Sequence, residues 1–200
     1  LISGALGNHG IAVLQARGNL GFQSDVRSDA APLNHLTQGL CAAFPDLHVM
    51  RDPTRGGLAT TLVEIAGQSG VTIQLNEPDI PIDQPVRAAC DLLGLDPLYL
   101  ANEGKVIVIL PEAQAESALN YLHTQKYGSG ARRIGSVVSR SSGQLLLRTA
   151  FGTTCVLDML AGEMLSRICE SRAARLICCR FVSPDVRQLY QSQQLLSDLQ

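Results

Sequence analysis

The 200-residue chain has no tryptophan and only 4% aromatic side chains. Without aromatics there is no platform on which the bases of a single-stranded nucleic acid would stack. Long apolar runs are missing too, and nothing approaches the about 18 consecutive apolar residues of a membrane-crossing helix. Charge of one sign is equally scarce: 16 Lys and Arg against 18 Asp and Glu leave a net charge of −2. Such a chain has no general electrostatic pull toward nucleic acid or an anionic membrane. The opening residues lack the pattern of a secretory signal, and Leu1 stands where an initiator Met would be, as expected of a chain cut from something longer. None of the six cysteines (Cys41, Cys90, Cys155, Cys169, Cys178 and Cys179) forms a Cys-x-x-Cys pair. The spacing of a structural zinc site is therefore absent, and no metal ligands are assigned in this chain. Scattered cysteines read as buried thiols in a reducing compartment, which points to the cytoplasm.

What remains is an aliphatic globular chain, 46% hydrophobic and 17% charged, long enough to bury a core. Leu1-Ile2-Ser3 reads as a strand, followed by a glycine-punctuated loop and the apolar stretch Ile11 to Leu14. Leu33, Leu36, Leu40 and Ala43 recur at helical spacing after Pro32, and Leu58, Leu62, Ile65 and Ala66 do so before Gly70. Val71 to Leu75 alternates like a half-buried strand, and Val86 to Leu93 is a helix closed by Gly94. Leu98 to Ala101 and Val106 to Leu110 read as strands on either side of a turn, with an amphipathic helix from Glu112 to His123. Ile134 to Val138, Gln144 to Thr149 and Thr153 to Leu157 read as closing strands. Interleaved strands and helices predict an α/β fold with helices packed on a mixed β-sheet.

Four places carry candidate chemistry. Arg51-Asp52-Pro53-Thr54-Arg55-Gly56-Gly57 stands immediately before a helix. A helix start suits phosphate oxygens, Gly56 and Gly57 allow close backbone approach, and Arg51 and Arg55 offer bidentate contacts. The alternative is an Asp-Pro turn with an internal Arg–Asp bridge. Asn102-Glu103-Gly104-Lys105 is either a hairpin turn with a solvated Glu–Lys pair or a site holding Glu103 as a general base. Gly4-Ala5-Leu6-Gly7-Asn8-His9-Gly10 is a glycine-rich turn in which His9 is a ligand-binding or a structural histidine. Cys169 lies among cationic neighbours that favour a thiolate, or is incidental. The vicinal Cys178-Cys179 has no assigned role.

Together, Gly-Asn-His-Gly at 7–10, Met-Arg-Asp-Pro-Thr-Arg-Gly-Gly at 50–57, Leu-Gly-Leu-Asp-Pro-Leu-Tyr-Leu-Ala-Asn-Glu-Gly-Lys at 93–105 and Arg-Ile-Cys at 167–169 closely resemble the C-terminal half of the HypE family of hydrogenase maturation proteins. That family belongs to the aminoimidazole ribonucleotide synthetase (PurM-like) superfamily. The resemblance covers residues 1–169. It implies a PurM C-terminal-domain-like fold and a part in making the cyanide ligands of the [NiFe]-hydrogenase iron centre. A HypF-like carbamoyltransferase would place a carbamoyl group on the C-terminal cysteine. ATP with Mg2+ would then drive its dehydration to a thiocyanate, passed on with a HypC–HypD scaffold complex. On this likeness Cys169 is the carrier, Glu103 the base or orienting acid, and Lys105 its charge partner. Arg51, Asp52, Arg55, Gly56, Gly57, Gly7 and His9 would hold ATP phosphates or shape the channel. The Mg2+ ligands and the homodimer interface would come from the family's N-terminal half, so the chain alone is expected to be inactive.

Three departures from the family pattern stand out. Asn8 replaces the usual Asp, Ser166 replaces the usual Pro, and residues 170–200 follow a cysteine that is normally last. Such an extension is what a frameshift or readthrough past the stop would produce. The expected organisation is an AIR synthase-related domain over 1–165 and a flexible tail over 166–200. Alternative readings are a non-catalytic domain that docks to maturation partners, or a sibling ATP-dependent small-molecule ligase or kinase.

Overall fold

The computed structural model describes residues 1–18, 24–140 and 143–159. Its elements run α1 (Asn8–Ala16), α2 (Asn34–Ala43), β1 (Val49–Arg51), α3 (Gly57–Ser69), β2 (Val71–Asn76), α4 (Gln84–Leu93), β3 (Ile107–Ile109), α5 (Glu112–Thr124), β4 (Gly135–Arg140), β5 (Leu145–Arg148) and β6 (Thr154–Leu157). The tail expected over 166–200, with Cys169, Cys178 and Cys179, lies outside the described residues.

Four strands form a mixed sheet in the order β4-β2-β5-β6. β2 runs antiparallel to β4 and parallel to β5, and β5 runs antiparallel to β6. A smaller antiparallel pair joins β1 to β3, with Met50 opposite Val108. The fold is thus α/β with helices on a mixed sheet. Helix α3 forms because Leu58, Leu62, Ile65 and Ala66 recur on one stripe. That stripe is buried against Ile73 and Leu75 of β2 and Leu145 and Leu147 of β5. A second cluster seats Leu36 and Leu40 of α2 and Leu122 of α5 against Val106 and Val108. The third joins Ile11 of α1 to Val86, Ala89 and Cys90 of α4 and to Leu100. Full burial of each such aliphatic side chain contributes roughly 1.5–3 kcal/mol.

Several expectations change. Leu1-Ile2-Ser3 forms no strand; Ile2 makes isolated bridges to Ile107 and Arg132. Ile11 to Leu14 lies inside α1, because the helix starts right after Gly7. Leu98 to Ala101 is not a strand either. Pro97–Tyr99 is a 3-10 turn, started by the Asp96 carboxylate accepting from the Leu98 N–H at 2.8 Å. The apparent alternation arises because Leu98 and Leu100 enter different clusters. Of the cysteines described, only Cys90 is buried; Cys41 is half-buried, and Cys155 is exposed on the edge strand β6.

Candidate functional site

Two helices start on left-handed glycines without a side-chain cap: α1 after Gly7 (φ 84°) and α3 after Gly56 (φ 70°). First-turn amides at such ends are oriented to receive an anion. Gly57 follows at φ 65°, pressed against the segment that leads to Glu103. A Cβ there would fall 2.5 Å from the Leu98 carbonyl oxygen and 2.6 Å from that of Leu100. Both atoms are backbone and cannot swing aside, so only glycine lets α3 begin this close to residues 98–100.

Between the two helix starts lies Asn102, which is 2% exposed. Its Oδ1 accepts from the Gly7 N–H at 2.7 Å. Its Nδ2 donates to the Leu100 carbonyl at 2.8 Å and the Pro53 carbonyl at 3.3 Å. The Asn102 backbone N–H also donates to Pro53, at 3.1 Å. One side chain therefore ties the start of α1, the Arg51–Gly57 loop and the turn bearing Glu103. Asn102 was not singled out in the sequence, where it stood only as a neighbour of Glu103.

Glu103 is half-buried beside Asp52, Asp29 and His9. Burial pushes its carboxyl above the usual carboxylate range, Asp52 and Asp29 push the same way, and His9 opposes them. A carboxylate in that position holds a proton more tightly than one in water, which suits proton abstraction. The ring of His9 meets the Ser28 hydroxyl through Nδ1 at 2.8 Å. Its Nε2 is buried and makes no hydrogen bond, as is Oδ1 of Asp29. Two buried polar atoms without hydrogen-bond partners thus lie beside an acid that burial has perturbed, which makes this place the candidate site.

Lys105, expected as the charge partner of Glu103, closes instead on Asp29, Nζ to Oδ2 at 2.5 Å, with both side chains largely buried. This corrects the hairpin with a solvated Glu–Lys pair. Asn102 to Lys105 join a 3-10 turn to β3, and residues 28–31 pack across them: a Cβ on Gly104 would meet the backbone of Asp29 and Ala31. Arg51 reaches Glu64 of α3 at 3.4 Å and Asp52 only at 4.0 Å. Asp52 and Arg55 are exposed on the loop. Arg51 and Asp52 of the loop thus approach each other, and the N-cap of α3, Gly56, supplies no side-chain cap. Asn8 donates to Asp83 at 2.9 Å at the edge of a cavity also lined by Asp25, Val26, Arg27 and Pro85. Gly7, His9, Asp52, Glu103 and Lys105 are thereby gathered around one site, while Arg51 turns toward α3. Among the described residues no three His, Cys, Asp or Glu side chains stand together as metal ligands.

Residues 1–148 match the family described as AIR synthase related protein, C-terminal domain. The carbamoyl dehydratase HypE of Azotobacter vinelandii is 48% identical over 169 residues, 84% of this chain and 50% of that protein. A solved structure of hydrogenase maturation protein HypE in complex with ATP is 50% identical, with a TM-score of 0.77 over 84% of this chain and 51% of its own. A solved HypE–HypF complex is 42% identical, with a TM-score of 0.75 over 80% of this chain and 52% of its own. The chain spans about half the length of the curated relatives it matches.

Proposed function

This chain belongs to the family of the AIR synthase related protein, C-terminal domain, and on that footing we propose that it is the C-terminal half of a HypE-like carbamoyl dehydratase. The observation that carries the reading is the meeting of the motifs at 7–10, 50–57 and 102–105 around Glu103. Those are the motifs on which the resemblance to the HypE family rests. The proposed domain is 1–165, and the proposed carrier is the Cys169 thiol on the tail beyond it.

The proposed reaction begins with a carbamoyl group on the Cys169 sulfur. The amide oxygen attacks the γ-phosphorus of ATP and ADP leaves. An amide oxygen is a poor leaving group; once phosphorylated it departs readily as phosphate. Glu103 takes one proton from the nitrogen as a carbon–nitrogen double bond forms. Phosphate then leaves with the second nitrogen proton lost, giving S–C≡N, ADP and phosphate. The amide oxygen ends in the phosphate, so no water is consumed. The α1 and α3 starts would receive phosphate oxygens, with Gly7, Gly56 and Gly57 shaping the turns that lead into them and the Gly7 N–H itself held by Asn102, and His9, Asp52 and Arg55 would border them. Mg2+ is expected with ATP, but no described residues gather as its ligands, so no step is routed through it. Its ligands, and a homodimer contact, are proposed to belong to the half of the relatives' length that this chain does not span. The chain alone is therefore proposed not to turn over ATP. A HypF-like carbamoyltransferase would load Cys169, and a HypC–HypD scaffold in the cytoplasm would receive the product.

Mass spectrometry tests the loading step. With a HypF-type transferase, carbamoyl phosphate and ATP, the peptide bearing Cys169 should gain a carbamoyl group. A chain that gains none, either with residues 170–200 or trimmed after Cys169, refutes the carrier assignment.

A further inference from the structure

Asn102 is polar, buried and centrally placed, yet the proposed chemistry gives it no role. Its three side-chain partners leave no choice of orientation. The Gly7 N–H requires an acceptor, while the Pro53 and Leu100 carbonyls require a donor, and only an amide presents both from one side chain. A hydrophobic residue of similar size would leave the Gly7 N–H and the Leu100 carbonyl without this partner, at about 1–3 kcal/mol for each group left unsatisfied. The three segments it joins are far apart in sequence, with Gly7 95 positions and Pro53 49 positions away. Each carries one polar side chain of the site: His9 on α1, Asp52 on the loop, and Glu103 next to Asn102 itself.

We propose that Asn102 is the positioning residue of this site, its carboxamide holding His9, Asp52 and Glu103 in fixed relation to one another. The inference rests on Glu103 being the proton acceptor of the proposed reaction. It is read by a measurement that involves no turnover, so failure of the catalytic reading and failure of this one are separately visible.

The test is an NMR titration of the Glu103 carboxyl in the whole labelled chain, alongside amide hydrogen exchange. The groups facing Glu103 are His9 of α1, Asp52 of the loop and Asp29 of the segment before α2, the last held by Lys105. In Asn102→Ala the segments part and water reaches Glu103. Burial is the largest influence on that carboxyl, so its midpoint should fall toward the ordinary carboxylate range. In Asn102→Asp the Gly7 N–H keeps its acceptor, but a carboxylate now stands beside Glu103, so its midpoint should rise. His123→Ala, which removes the 2.9 Å contact of α5 to the Ala131 carbonyl, is the control for simple loss of stability and should leave Glu103 where it was. A Glu103 midpoint that stays put in both Asn102 variants, or that moves as far in His123→Ala, overturns the proposal. Should neither Asn102 variant fold, the unsubstituted chain still decides. A Gly7 amide exchanging as slowly as the core amides supports the clamp, and one exchanging freely overturns it.

Discussion

Replacing Gly57 by alanine should be among the most damaging single-methyl additions to this chain. Three terms set its size. An alanine held at φ 65° is in left-handed backbone, at a cost of about 1–2 kcal/mol. The new methyl would lie 2.5 Å, 2.6 Å and 2.8 Å from the Leu98 oxygen, the Leu100 oxygen and the Tyr99 carbonyl carbon. All three atoms are backbone, so the clash is relieved only by moving α3 away from residues 98–100, with an overpacking cost of about 1–3 kcal/mol. Loss of glycine's freedom in the unfolded chain returns about 0.4–1 kcal/mol. The net is a destabilisation of about 2–4 kcal/mol, a large share of the roughly 5–15 kcal/mol that holds a domain together. Gly67 supplies the comparison on the same helix. Its added methyl meets nothing within 4 Å, so Gly67→Ala should gain about 0.5–1 kcal/mol from helix propensity. With no tryptophan to report, urea unfolding is followed by far-ultraviolet circular dichroism. Gly57→Ala as stable as Gly67→Ala would refute the close approach of α3 to the segment that carries Glu103.

The remaining predictions concern charge. Because the folded chain raises the Glu103 carboxyl, ionising it opposes folding: the stability this group contributes is full below its unfolded value and is lost as pH rises through its folded value. Glu103→Gln should therefore melt higher than the parent at pH 7 and lose that advantage at acid pH; a lower melting temperature at pH 7 contradicts the assigned cause. Lys105→Met leaves Asp29 largely buried without its cation, and should lower stability by about 1–3 kcal/mol in denaturant unfolding. An unchanged midpoint would mean that the pair holds nothing. Asn8→Asp, the residue usual in the resembled family, sets a carboxylate against Asp83 where an amide now donates at 2.9 Å. Asp83 is exposed and Asn8 half-buried, so the loss should be within about 1 kcal/mol, larger at pH 7 than at pH 4 and reduced by salt; equal melting at both pH values contradicts it.

Helices α3 and α4 were legible in the sequence because apolar spacing and a closing glycine agree, at Gly70 and Gly94. The closing strands β4 to β6 were legible too, since Leu145 and Leu147 alternate with less buried neighbours. Residues 98–101 misled because alternation also arises when two leucines enter two different clusters from a turn. The candidate site was legible as separate motifs but not as a geometry. Nothing local in Asn102-Glu103 tells that the amide is buried on Gly7 and Pro53, or that Lys105 turns away to Asp29. Those partners come from distant segments, and only tertiary packing brings them together. Asn102 had one local signal: an amide placed between an apolar run and an acid.

The central proposal is that Glu103 serves the dehydration of a carbamoylated Cys169. Its most direct test supplies this chain with the complementary half of the Azotobacter vinelandii relative, a HypF-type transferase, carbamoyl phosphate and ATP, and follows the mass of the Cys169 peptide. The expected result is a carbamoyl adduct that loses one water only when ATP is present, and that accumulates without losing water in Glu103→Gln. Dehydration proceeding at the same rate in Glu103→Gln, or an adduct on another residue while Cys169 stays bare, would contradict it.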